Sequence, residues 1–77
     1  MKHSEILVND SLIVIDMDFF GYGFKQYVVT VFNSDTGSEI ESFYTYSPDK
    51  AIATFDGLFQ KYAAFGKIVY SDGKFFN

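Results

Sequence analysis

The 77-residue chain has no cysteine, no arginine and no tryptophan, a single proline and a single histidine. Each shortage excludes something. Without cysteine there is no disulfide, no thiolate metal site and no cysteine nucleophile, and a reducing cytoplasm is the expected setting. Nucleic-acid binders neutralise phosphates with clustered Lys and Arg, and Arg reads guanine best. Here arginine is absent and the lysines at 2, 25, 50, 61, 67 and 74 are dispersed singly, so direct binding of DNA or RNA is not expected. No apolar run approaches the roughly 18 residues of a membrane span. The opening "MKHSEILVND" has acids on both sides of its short apolar patch, which is wrong for a signal peptide. The one histidine, His3, sits in what reads as a mobile terminus, a poor place for a catalytic triad. "GYGF" has two glycines of a nucleotide-binding loop but no helix after it, and "NSDTGSE" lacks calcium-loop spacing and reads as a hairpin turn. Asp35, Asp56 and Asp72 fall on turns or a helix. No general acid–base pair is visible, so neither an enzyme, a cofactor nor a metal is expected.

What the chain has in plenty is aromatic side chains. Ten Phe and six Tyr make up 21% of it. This length makes one domain, residues 1–77, and a domain so small buries only about 60% of the surface its unfolded chain exposes. A thin core does not easily enclose sixteen rings, so several must stand partly exposed. Exposed Tyr and Phe anchor protein interfaces, although Tyr on a strand is also commonly half-buried with its hydroxyl in water. The net charge of −4 favours a basic partner, or serves solubility alone.

Periodicity supplies the architecture. Residues 6–8 form a short apolar patch before the turn signal Asn9-Asp10. Residues 12–20 are rich in β-branched residues and read as a strand. After the turn "GYG" comes a second strand, 24–32, then turn chemistry at 33–38, then an alternating third strand, 39–46. The period then changes. "SPDKAIATFDGLFQKYAAFG" predicts a helix with Ser47 as N-cap, Pro48 at N1 and Asp49 at the positive end of the dipole. Its apolar stripe is Ile52, Phe55, Phe59 and Tyr62, widened by Ala51 and Leu58. Gly66 is expected as the left-handed C-terminal residue, and Gly57 as a point of close approach to the sheet. "KIVYSDGKFF" predicts a hairpin around Asp72-Gly73. The expected fold is α+β: an antiparallel sheet of four to five strands with one helix packed on one face, in the order β-β-β-α-β-β, leaving open an extra N-terminal strand.

The stretch "VIDMDFFGYG" holds the most pointed question. "IDMDFF" resembles the opening motif of Y-family DNA polymerases, and "LIVIDMD" resembles the first motif of haloacid-dehalogenase-like phosphatases. Both resemblances imply a strand-borne aspartate that holds magnesium. They cover six to eight residues. The further acids and lysine those families need have no counterpart here, and the chain is too short for either fold. Strand alternation places Ile13, Ile15 and Met17 on one face and Val14, Asp16 and Asp18 on the other, with the two acids about 7 Å apart. Cations usually require a third or fourth oxygen. A solvated or partner-facing acidic strand is therefore the expectation.

Two resemblances concern binding. The β-β-β-α order, with its helix opening soon after the third strand in "YTYSPDKAIATF", is similar to HicB-like antitoxins, though their Pro- and Gly-rich third strand and DNA-binding extension are absent. In size, acidity and lack of catalytic residues the chain also looks like the phage-encoded anti-CRISPR inhibitors, a class without a common motif. That resemblance implies a non-enzymatic inhibitor in the host cytoplasm that binds a basic groove of a CRISPR effector and blocks nucleic-acid access, with acids replacing phosphates and aromatic anchors supplying affinity. The candidate partner-binding residues are Asp16, Asp18, Tyr22 and Tyr44. The alternative is a structural or assembly protein, or an antitoxin, that works through protein–protein contacts, with homodimerisation through exposed strand edges open to it.

Overall fold

A computed structural model describes residues 2–20 and 26–72. Five strands and one helix follow in the order β1 (Lys2–Val8), β2 (Ser11–Phe20), β3 (Gln26–Asn33), β4 (Glu39–Thr45), α1 (Pro48–Ala63) and β5 (Lys67–Ser71). The strands form one antiparallel sheet in the order β4-β3-β2-β1-β5. The α+β architecture with one helix on one face is as the sequence predicts. The extra N-terminal strand is real and longer than its apolar patch, because Lys2, His3 and Ser4 extend the pairing along β2 to Met17. The helix is therefore preceded by four strands. The second arm of the predicted C-terminal hairpin, with Gly73, lies outside the described residues.

Local chemistry accounts for the connections. Asn9 and Asp10 have φ of 49° and 66°, and Val8 pairs with Ser11 across them. That is the two-residue turn whose twist matches a hairpin, and Asn and Asp tolerate it best after Gly. Between β3 and β4, Asn33 Oδ1 accepts from the Asp35 amide at 2.9 Å. Gly37, at φ 75°, closes the loop by donating its amide to Asn33 O at 2.7 Å. Ser47 caps α1 in extended conformation (φ −94°, ψ 119°) and accepts from the Lys50 amide at 3.2 Å, with Pro48 and Asp49 in the first turn.

Alternation sorts β2 as expected. Ile13, Ile15 and Met17 join Ile6, Val29, Val31, Ala51, Phe55 and Leu58 in the core beneath α1. The helix register differs from its predicted stripe. Ala51, Phe55 and Leu58 are buried and Phe59 and Tyr62 only partly, whereas Ile52 is 37% exposed. Consecutive residues lie 100° apart around a helix, so seating Ala51 on the sheet swings Ile52 to its flank.

Two glycines also correct the sequence reading. Gly57 is exposed, and a Cβ there would meet nothing within 4 Å. Gly66 lacks a positive φ. Its need is steric: a Cβ would lie 2.5 Å from Leu7 O and 2.7 Å from Val8 Cγ2. The close approach assigned to Gly57 is made by Gly66, where the chain leaves α1 and squeezes past β1.

One helix cannot cover this sheet. Five strands at about 4.8 Å spacing span about 19 Å, against a helix diameter of about 10–12 Å with side chains. On the covered face Phe43 at one edge and Ile68 at the other consequently stay 41% and 49% exposed. Among the described residues no helix is long and apolar enough to cross a membrane.

Candidate functional site

The face of the sheet turned away from α1 carries the acids singled out in the sequence. Pairing gives its rows. Asp18 and Tyr44 flank Val28 from β2 and β4. The next row runs Ser42, Thr30, Asp16, His3. The third holds Phe32, Val14, Glu5 and Tyr70. Val14 and Val28 are nearly as buried as the helix-side core, at 4% and 6% exposure, although among the described residues no second helix covers them. The result is an apolar floor with acids standing in it and, at one side, Tyr44 at 64% exposure.

His3 is not in a mobile terminus. Its place in β1 sets it directly across from Asp16, two residues from Glu5 on the same face. Its Nδ1 bonds Asp16 Oδ1, and its Nε2 bonds Glu5 Oε2 at 2.7 Å. Ionised carboxylates only accept, so holding both ring nitrogens this way requires both to donate, which is the imidazolium. Burial pushes the His3 pKa down, but the hydrogen bonds and charges of Glu5 and Asp16 outweigh it and raise the pKa above the ordinary histidine value. Tyr70 lies against the imidazole with ring centroids 5.9 Å apart, and Asp72 N donates to His3 O at 3.3 Å, so three strands meet at this residue. With both nitrogens engaged, the ring has no lone pair to offer a cation. Among the described residues no group of three or more His, Cys, Asp or Glu is arranged to hold a metal ion.

Of the four predicted partner-binding residues, Asp16, Asp18 and Tyr44 share this face. Asp18 and Tyr44 are exposed, while Asp16 is engaged by His3. Tyr22 lies outside the described residues. His3, Glu5 and Tyr70 escaped the sequence reading. The i, i+2 spacing of His3 and Glu5 carried a signal only if residues 2–8 were accepted as a strand.

Two other polar groups are structural. On the covered face Glu41 Oε2 accepts from the Tyr62 hydroxyl at 2.7 Å and from Lys61 Nζ at 3.0 Å, tying the end of α1 to β4. Burial, helped by the Glu41 charge, pushes the Tyr62 phenol up to about 12. The hydrogen bonds from Tyr62 and Lys61 hold Glu41 below the usual carboxylate range. Lys2, 2% exposed, lies over the Phe55 ring at 5.8 Å. Burial lowers its pKa against the opposing pull of Asp56 and Asp72.

The sheet's edges are less inviting than its open face. The β1–β5 register shifts between Glu5 and Ile6, and the β3–β4 register shifts between Val31 and Phe32. Such irregularities interrupt the row of free backbone groups that another strand would need. No pocket is found among the described residues, so the open face is a surface rather than a cleft. No family model, curated protein or solved structure matches the chain.

Proposed function

We propose that this protein acts without catalysis, by binding another protein through the open face of its sheet, and that the partner presents a basic surface. The observation that supports this is one row of side chains: Asp18 and the 64%-exposed Tyr44 on either side of the buried Val28. An aromatic anchor beside acids on an apolar floor suits a partner that offers Lys or Arg around an apolar centre. Asp16 and Glu5 extend the acidic character toward β1.

Carried one step further, the reading is an inhibitor of the anti-CRISPR type, in which these carboxylates occupy the phosphate positions of a nucleic-acid groove. The assembly reading through strand pairing draws less support, because both edge strands carry a register shift. An antitoxin-like role would use the same face and differ only in the partner.

The test is inhibition of target-DNA binding by a panel of guide-loaded CRISPR effectors. One effector should be blocked, and the block should weaken steeply with salt, as screening of exposed charges requires. D18K and Y44A should each relieve it, Y44A by about 2 kcal/mol where the ring is a hot spot. If no effector is blocked, the anti-CRISPR reading falls. If D18K and Y44A, folded, inhibit as well as the parent, the open face is not the interface.

A further inference from the structure

The open face contains an ionisable imidazole held between two carboxylates, and its position gives it a use. His3 lies between Glu5 on its own strand and Asp16 on β2, bonded to both. Tyr70 of β5 packs on the ring, and Asp72, just past the end of β5, donates its amide to His3 O. Asp18 is the next acid along β2 on the same face, and Lys67 pairs with Leu7 farther down β1. The histidine ring is still 41% exposed, so its proton can exchange with water without the fold opening.

We infer that His3 is a proton-controlled counter-charge for the open face: while protonated it offsets one of the carboxylates of Glu5, Asp16 and Asp18, and on losing its proton it leaves all three uncompensated, so the face holds a basic partner more tightly as pH rises. This rests on the proposed docking of a basic protein to that face. The step is a simple ionisation, in which the imidazolium gives one N–H proton to water or buffer and the ring keeps the electron pair. A neutral imidazole has a single N–H, so it can donate to Asp16 or to Glu5 but not to both, and the other carboxylate is freed toward solvent. The coupling is reciprocal. A cation bound on the face disfavours the imidazolium and lowers the pH at which His3 titrates. The hydrogen bonds and charges of Glu5 and Asp16, which raise the His3 pKa above its ordinary value, fit this arrangement.

The chain has one histidine, so its ring signals in an NMR titration are unambiguous. In the parent the midpoint should lie above the ordinary value of about 6.5, and E5Q and D16N should each move it down. Should either variant not fold, the parent supplies a second measurement: the carboxyl carbons of Glu5 and Asp16 should shift at the same midpoint as the ring. A midpoint at or below the ordinary value, or carboxyl carbons that do not follow the ring, overturns the inference.

A deca-lysine peptide at low salt then probes the surface. It should bind the parent about fivefold more tightly at pH 9 than at pH 6, the factor one further unit charge a few Å away supplies in water. H3Q should show no such gain from this site. The α-amino group titrates over the same range, so both proteins are compared with the N-terminus acetylated. Equal binding of the parent at the two pH values overturns the inference even where the ring titrates as expected. If titration and deca-lysine both behave as stated and no protein partner binds the face, the counter-charge stands and the docking proposal is what fails.

Discussion

The two faces of this sheet are built from the same strands, residue by residue in alternation, and they solve burial differently. The covered face puts Ile6, Ile13, Ile15, Met17, Val29 and Val31 under Ala51, Phe55 and Leu58 of α1. The open face buries Val14 and Val28 with no helix above them, and runs Thr30, Asp16 and His3 through its middle. On the first face hydrophobic contact does most of the work; Glu41 with Tyr62 and Lys61 stands at the β4 edge, while Lys2 and Ser4 are buried on β1, Lys2 over the Phe55 ring. On the second, charge sits among apolar side chains and is compensated by a titratable partner. A face kept for stability can exclude water fully. The open face stays wettable, because acids stand among its valines.

Three experiments sharpen this contrast, beginning with the largest effect. Phe55 is fully buried and Ile52 is 37% exposed, although both lie on the predicted apolar stripe. F55A should cost about 3–5 kcal/mol in urea unfolding, a large share of the stability of so small a domain. I52A should cost about 0.5–1 kcal/mol, close to an ordinary surface change. Comparable losses from the two would mean that the helix meets the sheet in the predicted register rather than the one described.

The glycines come next. G66A forces a methyl group against Leu7 O and Val8 Cγ2, and should destabilise by about 1–3 kcal/mol. G57A meets nothing within 4 Å and should stabilise by about 1 kcal/mol, since Ala is the better helix former. Thermal melts of the two variants should move in opposite directions. A stabilised G66A would remove the close approach of chain and β1.

The smallest effect is in the pH dependence of stability, and there Glu41 on one face and His3 on the other should respond with opposite sign. Glu41 on the covered face has a lowered pKa because Tyr62 and Lys61 donate to it. Its contribution is complete above the ordinary carboxylate range and disappears as pH falls through the lowered value. His3 on the open face has a raised pKa. Its contribution is complete below the ordinary histidine value and disappears as pH rises through the raised one. E41Q should therefore flatten the acid limb of the stability profile and H3Q the limb above neutrality. Tyr62, pushed up to about 12, adds a further loss as pH climbs from 10 toward that value. If E41Q alters the limb just above neutrality and H3Q the acid one, the assignment of the two clusters is reversed.

Much of the architecture was legible because the relevant signals are local. Asn9-Asp10 demands a tight turn, Ser47-Pro48-Asp49 a helix start, and the alternation in β2 separates Ile13, Ile15 and Met17 from Val14, Asp16 and Asp18. The candidate site was only half legible. Parity set Asp18 opposite Ile13, Ile15 and Met17 and required one of Phe43 and Tyr44 to point outward, the choice of Tyr44 resting on its hydroxyl. His3 could not be read this way, because its significance comes from Asp16, thirteen positions away, and from β1 being paired along its whole length.

The sequence by itself determined the strands β2 to β4, the start of α1 and the side of β2 that turns to the core, since each follows from residue type and spacing of two or 3.6. Tertiary structure alone decided which helical residues touch the sheet, which glycine is sterically required, and that a lone histidine becomes the counter-ion of two carboxylates. Those outcomes depend on where strands far apart in the chain come to lie beside one another. Alternation specifies a face, but only register specifies a neighbour.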